Sequence, residues 1–217
     1  MPETEHSQPE LVLPLVVRIE RAGPPTRTDA LEAAARAVLV MLTADEPDWL
    51  AAIRAWDGSR IRKVVRRARG AEWRRAEQLP GITVRQGGAE ARVYPPIPVD
   101  GWPPQLSRLQ VGGTQLDDPE PAPAPLPGSP LILLSPSLEM SAGKAMAQAG
   151  HAAQLGWRSL SRRKRERWQR AGFPLAVRTA TAQQWAAALK ARAPVVHDAG
   201  FTEVQPNSQT ALFAGPA

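Results

Sequence analysis

Two stretches of this 217-residue chain show the same succession of apolar and polar positions. Each opens with an apolar run, Leu11–Arg18 or Leu131–Leu134, that reads as a strand. An alanine-rich segment follows, Asp29–Leu42 or Ala142–Trp157. In the first of these, Leu31, Ala35, Val38 and Leu42 recur along one helical face, with Thr28 as the expected N-cap. Ser141 takes the equivalent place in the second. A polar, basic stretch that reads as helical comes next, then a short strand at Arg62–Arg66 or Leu175–Arg178. A helix carrying Trp73 or Trp185 follows, and two strands close each half: Ile82–Arg85 with Ala91–Tyr94, and Val195–Asp198 with Thr210–Ala214. The order βααβαββ predicts a four-stranded mixed sheet with helices on its faces. The expected fold class is therefore α/β, as two tandem three-layer units.

A gap-free shift of 112 positions pairs Trp56 with Trp168, Val65 with Val177, Arg66 with Arg178 and Ala68 with Ala180. It also pairs Trp73 with Trp185, Ala76 with Ala188, Val84 with Val196 and Gly88 with Gly200. Two coincident tryptophan pairs favour an old tandem duplication over chance. Between the halves, residues 117–130 read DDPEPAPAPLPGSP, whose prolines favour an extended, semi-rigid linker. The expected division is 11–116, the linker 117–130, and 131–217.

Composition narrows the chemistry. There is no cysteine, which excludes disulfides, thiolate nucleophiles and cysteine-ligated zinc. With His6, His151 and His197 as the only histidines, a multi-histidine metal site is not expected. No apolar run approaches the ~20 residues of a membrane-spanning helix, and the acidic, polar start MPETEHSQPE is unlike a secretory signal, so a cytoplasmic protein is expected. The net charge of +6 is unevenly placed: residues 131–217 carry 11 basic and 4 acidic residues, a net of +7, and the remainder sums to −1. A basic half points to a polyanionic partner, most commonly nucleic acid.

The turn Ser141-Ala142-Gly143-Lys144 lacks the earlier glycine and the following hydroxyl residue of a phosphate loop, which excludes the nucleotide-hydrolase reading. On the helix it opens, Lys144, Gln148 and His151 lie at i, i+4 and i+7 on one face, among alanines and Gly150 that allow close packing against a sheet. That row is either a solvated face with an incidental histidine or a set of polar groups with a shared task. Asp198-Ala199-Gly200-Phe201-Thr202, at a strand end, reads by default as a tight turn.

Leu131–Trp157 resembles the first strand and helix of the second type of peptidyl-tRNA hydrolase. Met140, Gly143, Lys144, Gln148, His151 and Ala152 fit that family's M-[SG]-x-GK-x-x-x-Q-x-x-H-A motif. Asp198–Thr202, and Pro206–Thr210 through Gly215-Pro216, resemble its second signature. Phe201 stands where the family usually has arginine, Glu203 where glutamine is common, and Leu175 where lysine is often seen. The resemblance implies metal-free and cofactor-free hydrolysis of the ester between peptide and tRNA. It implies that Asp198 orients or deprotonates water, that Lys144 stabilises oxyanion charge, and that Gln148 and Thr202 hold water or substrate, with His151 in support. In the N-terminal half Asp29, Ala33 and Arg36 replace Lys144, Gln148 and His151, and Gln86 aligns with Asp198, so that copy is expected to have lost catalysis.

Peptidyl-tRNA is thus the expected partner, with no membrane. Arg158, Arg162, Arg163, Lys164, Arg165 and Arg167 form a basic run beside the presumed ester site and are expected to contact tRNA phosphates. A second cluster, Arg60 to Arg75, reads equally as an extension of that footprint or as a solvated face. Trp56, Trp73, Trp168 and Trp185 recur in a half without the catalytic set, which favours core packing over base stacking. Family members often pair as homodimers, so the duplication implies a monomeric pseudo-dimer, with a homodimer as the alternative. The competing function is a catalytically inactive tRNA- or ribosome-binding module. A protein-interaction adaptor explains the linker but not the basic half.

Overall fold

In β1 (Leu11–Arg18) every second side chain, Leu13, Leu15 and Val17, enters one core, while Val16 enters another on the opposite face. This period of two is what a strand buried on both faces requires. The computed structural model describes residues 10–59 and 62–216. His6 and Arg60 lie outside the described residues.

The N-terminal half continues through α1 (Arg27–Leu42), α2 (Pro47–Asp57), β2 (Arg62–Ala68), α3 (Gly70–Glu77), β3 (Ile82–Gln86) and β4 (Ala89–Val93). A two-residue strand β5 (Ile97–Pro98) and a short helix α4 (Pro104–Ser107) precede the linker. The C-terminal half comprises β6 (Pro130–Leu134), α5 (Ala142–Ser159), α6 (Arg162–Arg170), β7 (Ala176–Thr179), α7 (Ala182–Lys190), β8 (Val195–His197) and β9 (Gln209–Pro216).

The strand orders are β2-β1-β4-β3 and β7-β6-β9-β8, with the same senses: one parallel pair, then two antiparallel pairs. The protein is α/β, with two mixed sheets and helices. The expected four strands hold for the second sheet, whereas β5 extends the first to five by pairing with β1. Pro14 tolerates its central place in β1 because it falls between the residues that pair with β4 and those that pair with β5.

One further correction concerns the start of α1. The N-cap is Thr26, not Thr28: Thr26 Oγ1 accepts from Asp29 N at 3.1 Å. The helix reaches back two residues because Asp118, remote in sequence, accepts from Thr28 N at 2.8 Å and Thr28 Oγ1 at 2.9 Å. A carboxylate at a helix N-terminus supplies both an acceptor and favourable charge.

Helices α1 and α5 pack against each other between the two sheets. A single cluster of buried residues joins Val38 and Met41 of α1, Met146 and Ala153 of α5, Leu15 of β1, and Ile132 of β6. Small residues permit the close approach. A Cβ on Gly150 would lie 2.8 Å from Val38 Cγ2, and one on Gly156 would lie 2.3 Å from the Phe213 ring. The alanine- and glycine-rich α5 thus serves its own sheet on one side and α1 on the other.

Trp56, Trp73 and Trp168 are buried. Trp56 Nε1 donates to Arg62 O at 2.9 Å, and Trp168 Nε1 donates to Pro174 O at 2.8 Å, the same bond at the 112-residue shift. Trp185 is only partly buried. Trp73 packs with Leu106 and Leu109 on the outer face of the first sheet.

Candidate active site at the N-terminus of helix α5

Helix α5 is capped by Ser141, whose Oγ accepts from Lys144 N at 3.2 Å. The loop after β8 closes over this end. Asp198 N donates to Ser208 O at 2.9 Å and Asn207 N donates to Asp198 O at 2.7 Å, which folds the loop back on itself. Gly200 has a φ of +78°, and a Cβ there would lie 2.5 Å from the Pro206 ring, so glycine is required. Glu203 clamps the loop to the helix, accepting from Ser141 N at 2.9 Å and Ser141 Oγ at 2.8 Å. Its charge also faces the positive end of the helix dipole.

This clamp brings together Lys144, Gln148, Asp198 and Thr202. Lys144 Nζ donates to Asp198 Oδ2 at 2.7 Å and to Thr202 Oγ1 at 3.2 Å. Gln148 Nε2 donates to the same Asp198 oxygen at 2.8 Å, and Gly200 N donates to Asp198 Oδ1 at 2.8 Å. The orientation of the Gln148 amide is set from behind by fully buried Thr210, whose Oγ1 donates to Gln148 Oε1 at 2.6 Å. The Lys144 and Asp198 side chains are 9% and 10% exposed, so the pair is largely withdrawn from water.

The stoichiometry of donors and acceptors is informative. An ammonium has three N–H groups and Lys144 uses two, which leaves one to point elsewhere. A carboxylate offers about four acceptor sites. Asp198 uses two on Oδ2 and one on Oδ1, so a further site remains on Oδ1. Thr202 Oγ1 accepts from Lys144, which frees its own proton to donate.

His151 is not part of this group. Its Nδ1 lies 3.1 Å from Lys63 Nζ of the N-terminal half. Lys63 also donates to Gln154 Oε1 at 2.6 Å, sits 4.8 Å from the centre of the Trp56 ring, and is buried. Gln154 Nε2 donates in turn to Asp57 Oδ1 at 2.5 Å. Burial pushes the His151 imidazolium well down, helped by the positive charges of Lys63 and Lys144. Burial, then the charge of Arg158, likewise lowers the Lys63 ammonium, against a partial opposing effect of Asp57. Neutral His151 with its proton on Nε2 is the form that accepts from Lys63.

Between Lys144 and the end of α5 at Ser159 lies roughly 22 Å of helix at 1.5 Å per residue. The basic run therefore starts at the far end of α5 from Asp198, not beside it. Arg158 is paired with Asp57 at 2.7 Å and also reaches the Asp57 carbonyl. Arg165 donates to Leu160 O and Arg158 O, each at 2.8 Å, and lies over Trp157. Arg162 pairs with Glu166 at 2.7 Å while remaining 92% exposed. Arg163, Lys164 and Arg167 are exposed and form no ion pair among the described residues.

Much of the second cluster has structural work. Arg66 donates to Leu109 O at 2.6 Å and lies over Trp102, and Arg67 holds Gln110. At the N-terminal counterpart of the site, Asp29 Oδ2 accepts from Gly88 N at 3.1 Å and Arg36 donates to Gln86 Oε1 at 2.7 Å. No carboxylate–lysine pair is built there, as Asp29 and Gln86 stand at those positions.

Residues 131–217 match the family model described as peptidyl-tRNA hydrolase PTH2. The chain is 33% identical over 96 residues to human "Peptidyl-tRNA hydrolase 2, mitochondrial", a match covering 40% of this chain and 54% of the human protein. The bovine protein of the same name is 31% identical over 96 residues, with the same coverage. The chain thus spans about half the length of the curated relatives it matches. No solved structure gives a significant match. Around the candidate site, sequence reasoning missed Thr210, the Glu203 clamp and the Lys63–Gln154–Asp57 chain. Thr210 lay within the recognised signature, while the others depend on contacts remote in sequence. Among the described residues, no helix is long and apolar enough to cross a membrane.

Proposed function

We propose that this protein hydrolyses the ester bond of peptidyl-tRNA, releasing peptide and free tRNA, with its centre at Asp198, Lys144, Thr202 and Gln148. The observation that carries this reading is the withdrawn Lys144–Asp198 pair, with one N–H and one acceptor site unused, inside the domain matched to the hydrolase family. The free site on Asp198 Oδ1 takes a proton from the attacking water, and Thr202 Oγ1 donates to that water or to the ester. The third N–H of Lys144 meets the carbonyl oxygen as negative charge develops on it. The bond from water oxygen to carbonyl carbon forms, the bond to the ribose oxygen breaks, and the proton passes to that leaving oxygen. Gln148, fixed by Thr210, holds Asp198 in place, while His151 acts through α5 packing rather than at the ester.

We assign the catalytic domain to 131–217 and a non-catalytic, duplicated unit to 11–116, joined through 117–130. The shared core and the reciprocal packing of α1 and α5 support a monomeric pseudo-dimer. Exposed Arg163, Lys164 and Arg167, with ion-paired but exposed Arg162, supply the phosphate contacts. Arg158 and Arg165 hold their positions by structural bonds.

Release of tRNA from N-blocked aminoacyl-tRNA by the full chain tests the proposal. Asp198→Ala should lower the rate by about 10²–10⁴, and Lys144→Ala by about 10²–10³. Full turnover by either variant would sink the assignment. No release by wild type, with salt-sensitive tRNA binding intact, would instead make this a binding module.

A further inference from the structure

Phe201 is 70% exposed, an unusual place for a phenylalanine, and it lies between Gly200 and Thr202 in the loop that forms the candidate site. The guanidinium of Arg62, from the other half of the chain, lies over its ring at 4.9 Å from the centroid. Arg62 is held from two sides: its carbonyl accepts from buried Trp56, and its Nε sits 2.8 Å from Glu10 Oε1. The next residue, Lys63, is locked to His151 and Gln154 of α5. The arginine is thus presented to the ring from strand β2, with its Nε beside Glu10.

We infer that Phe201 and Arg62 form a platform for the single-stranded 3′-terminal nucleotides of the tRNA, an inference that rests on the hydrolase reading. A flat aromatic face open to solvent beside a cation is the arrangement that stacks a base and pairs its phosphate. Arg62 covers one face of the ring and a base takes the other, so the base, ring and guanidinium form a three-layer stack. The position fits the chemistry, because the ester to be cleaved is attached to the last ribose and Thr202 follows Phe201 directly. The N-terminal half supplies the positive charge beside the ring from Arg62. That N-terminal half then has a role at the site without catalytic residues of its own.

The test uses the full chain with N-blocked aminoacyl-tRNA, and a fluorescent six-nucleotide single-stranded oligoribonucleotide read by anisotropy. Phe201→Ala should raise KM and weaken oligonucleotide binding by about 5- to 150-fold, with kcat unchanged. Phe201→Trp should bind at least as well as wild type. Arg62→Gln should weaken binding and make it less dependent on salt. Wild-type turnover with an unchanged KM and unchanged oligonucleotide affinity in Phe201→Ala would overturn the platform and leave the hydrolase reading intact. No turnover by wild type, with oligonucleotide binding lost in Phe201→Ala, would support the platform and overturn the hydrolase reading.

Discussion

The carboxylate of Glu32 offers a sharp test of how the two halves hold each other. Glu32 lies on α1, yet its Oε1 accepts from Val177 N at 3.2 Å and from Arg178 Nη1 at 2.7 Å, both on β7. Its Oε2 accepts from Gln86 Nε2 at 3.1 Å. β7 is an edge strand of the second sheet, so the N-terminal half satisfies an edge N–H that its own sheet cannot. The Glu32 side chain is 7% exposed and that of Arg178 is 20% exposed, so the pair is shielded rather than a surface ion pair. Glu32→Ala leaves a buried N–H and a mostly buried guanidinium without their acceptor. Breaking a buried pair from one side costs about 3–5 kcal/mol. Arg178 keeps its bonds to Val177 O and Pro123 O, which places the expected loss near the lower end, about 3 kcal/mol. That is a large part of the ~5–15 kcal/mol that holds an ordinary domain together. Urea unfolding followed by tryptophan fluorescence reads it directly, and a double-mutant cycle with Arg178→Met isolates the pair. A loss below about 1 kcal/mol, the value expected of a surface pair, would refute the reasoning.

Two further outcomes follow from packing and protonation. Gly156→Ala drives a methyl into the Phe213 ring, which cannot swing away because it is buried and 5.7 Å from the Trp168 ring centre. A loss of roughly 2 kcal/mol and a fall in Tm of about 4–8 °C are expected by calorimetry, and an unchanged Tm would count against the packing account. His151 is held neutral in the fold, with its pKa pushed below the usual ~6.5 by burial and by Lys63 and Lys144. The unfolded chain therefore binds the extra proton first, so its contribution to stability is complete above that value and lost as pH falls from 6.5 towards the lowered folded value. Comparing wild type with His151→Gln from pH 7.5 to 5 should show the variant losing less stability, and parallel curves would refute it.

What could be read from the chain alone was whatever depends on local pattern. Periodicity located the strands and helices common to both halves, but not β5 or α4, since a buried strand and an amphipathic helix each impose their own spacing on neighbouring residues. The tryptophan pairs at a shift of 112 marked a shared architecture, and the structure shows why: Trp56 and Trp168 donate to the carbonyls of Arg62 and Pro174 at that same shift. Lys144, Gln148, Asp198 and Thr202 were named because the motif fixes their residue types. Their meeting follows from a helix N-terminus packed beside a strand end.

Contacts between residues far apart in sequence were decided only by the tertiary structure. Thr28 was expected to cap α1, but a side chain 90 positions away, Asp118, takes its bonds and moves the cap to Thr26. Lys144, Gln148 and His151 share a helical face, yet seven residues carry His151 two turns along α5, out of reach of Asp198 and against Lys63. The arginines of the basic run are equivalent in composition, but Arg158 and Arg165 are consumed by Asp57 and by backbone carbonyls, while Arg163 and Lys164 stay exposed. Local spacing determines which face a residue takes. Which partner meets that face depends on how the two similarly ordered halves pack around α1 and α5, and no periodicity along the chain encodes that distance.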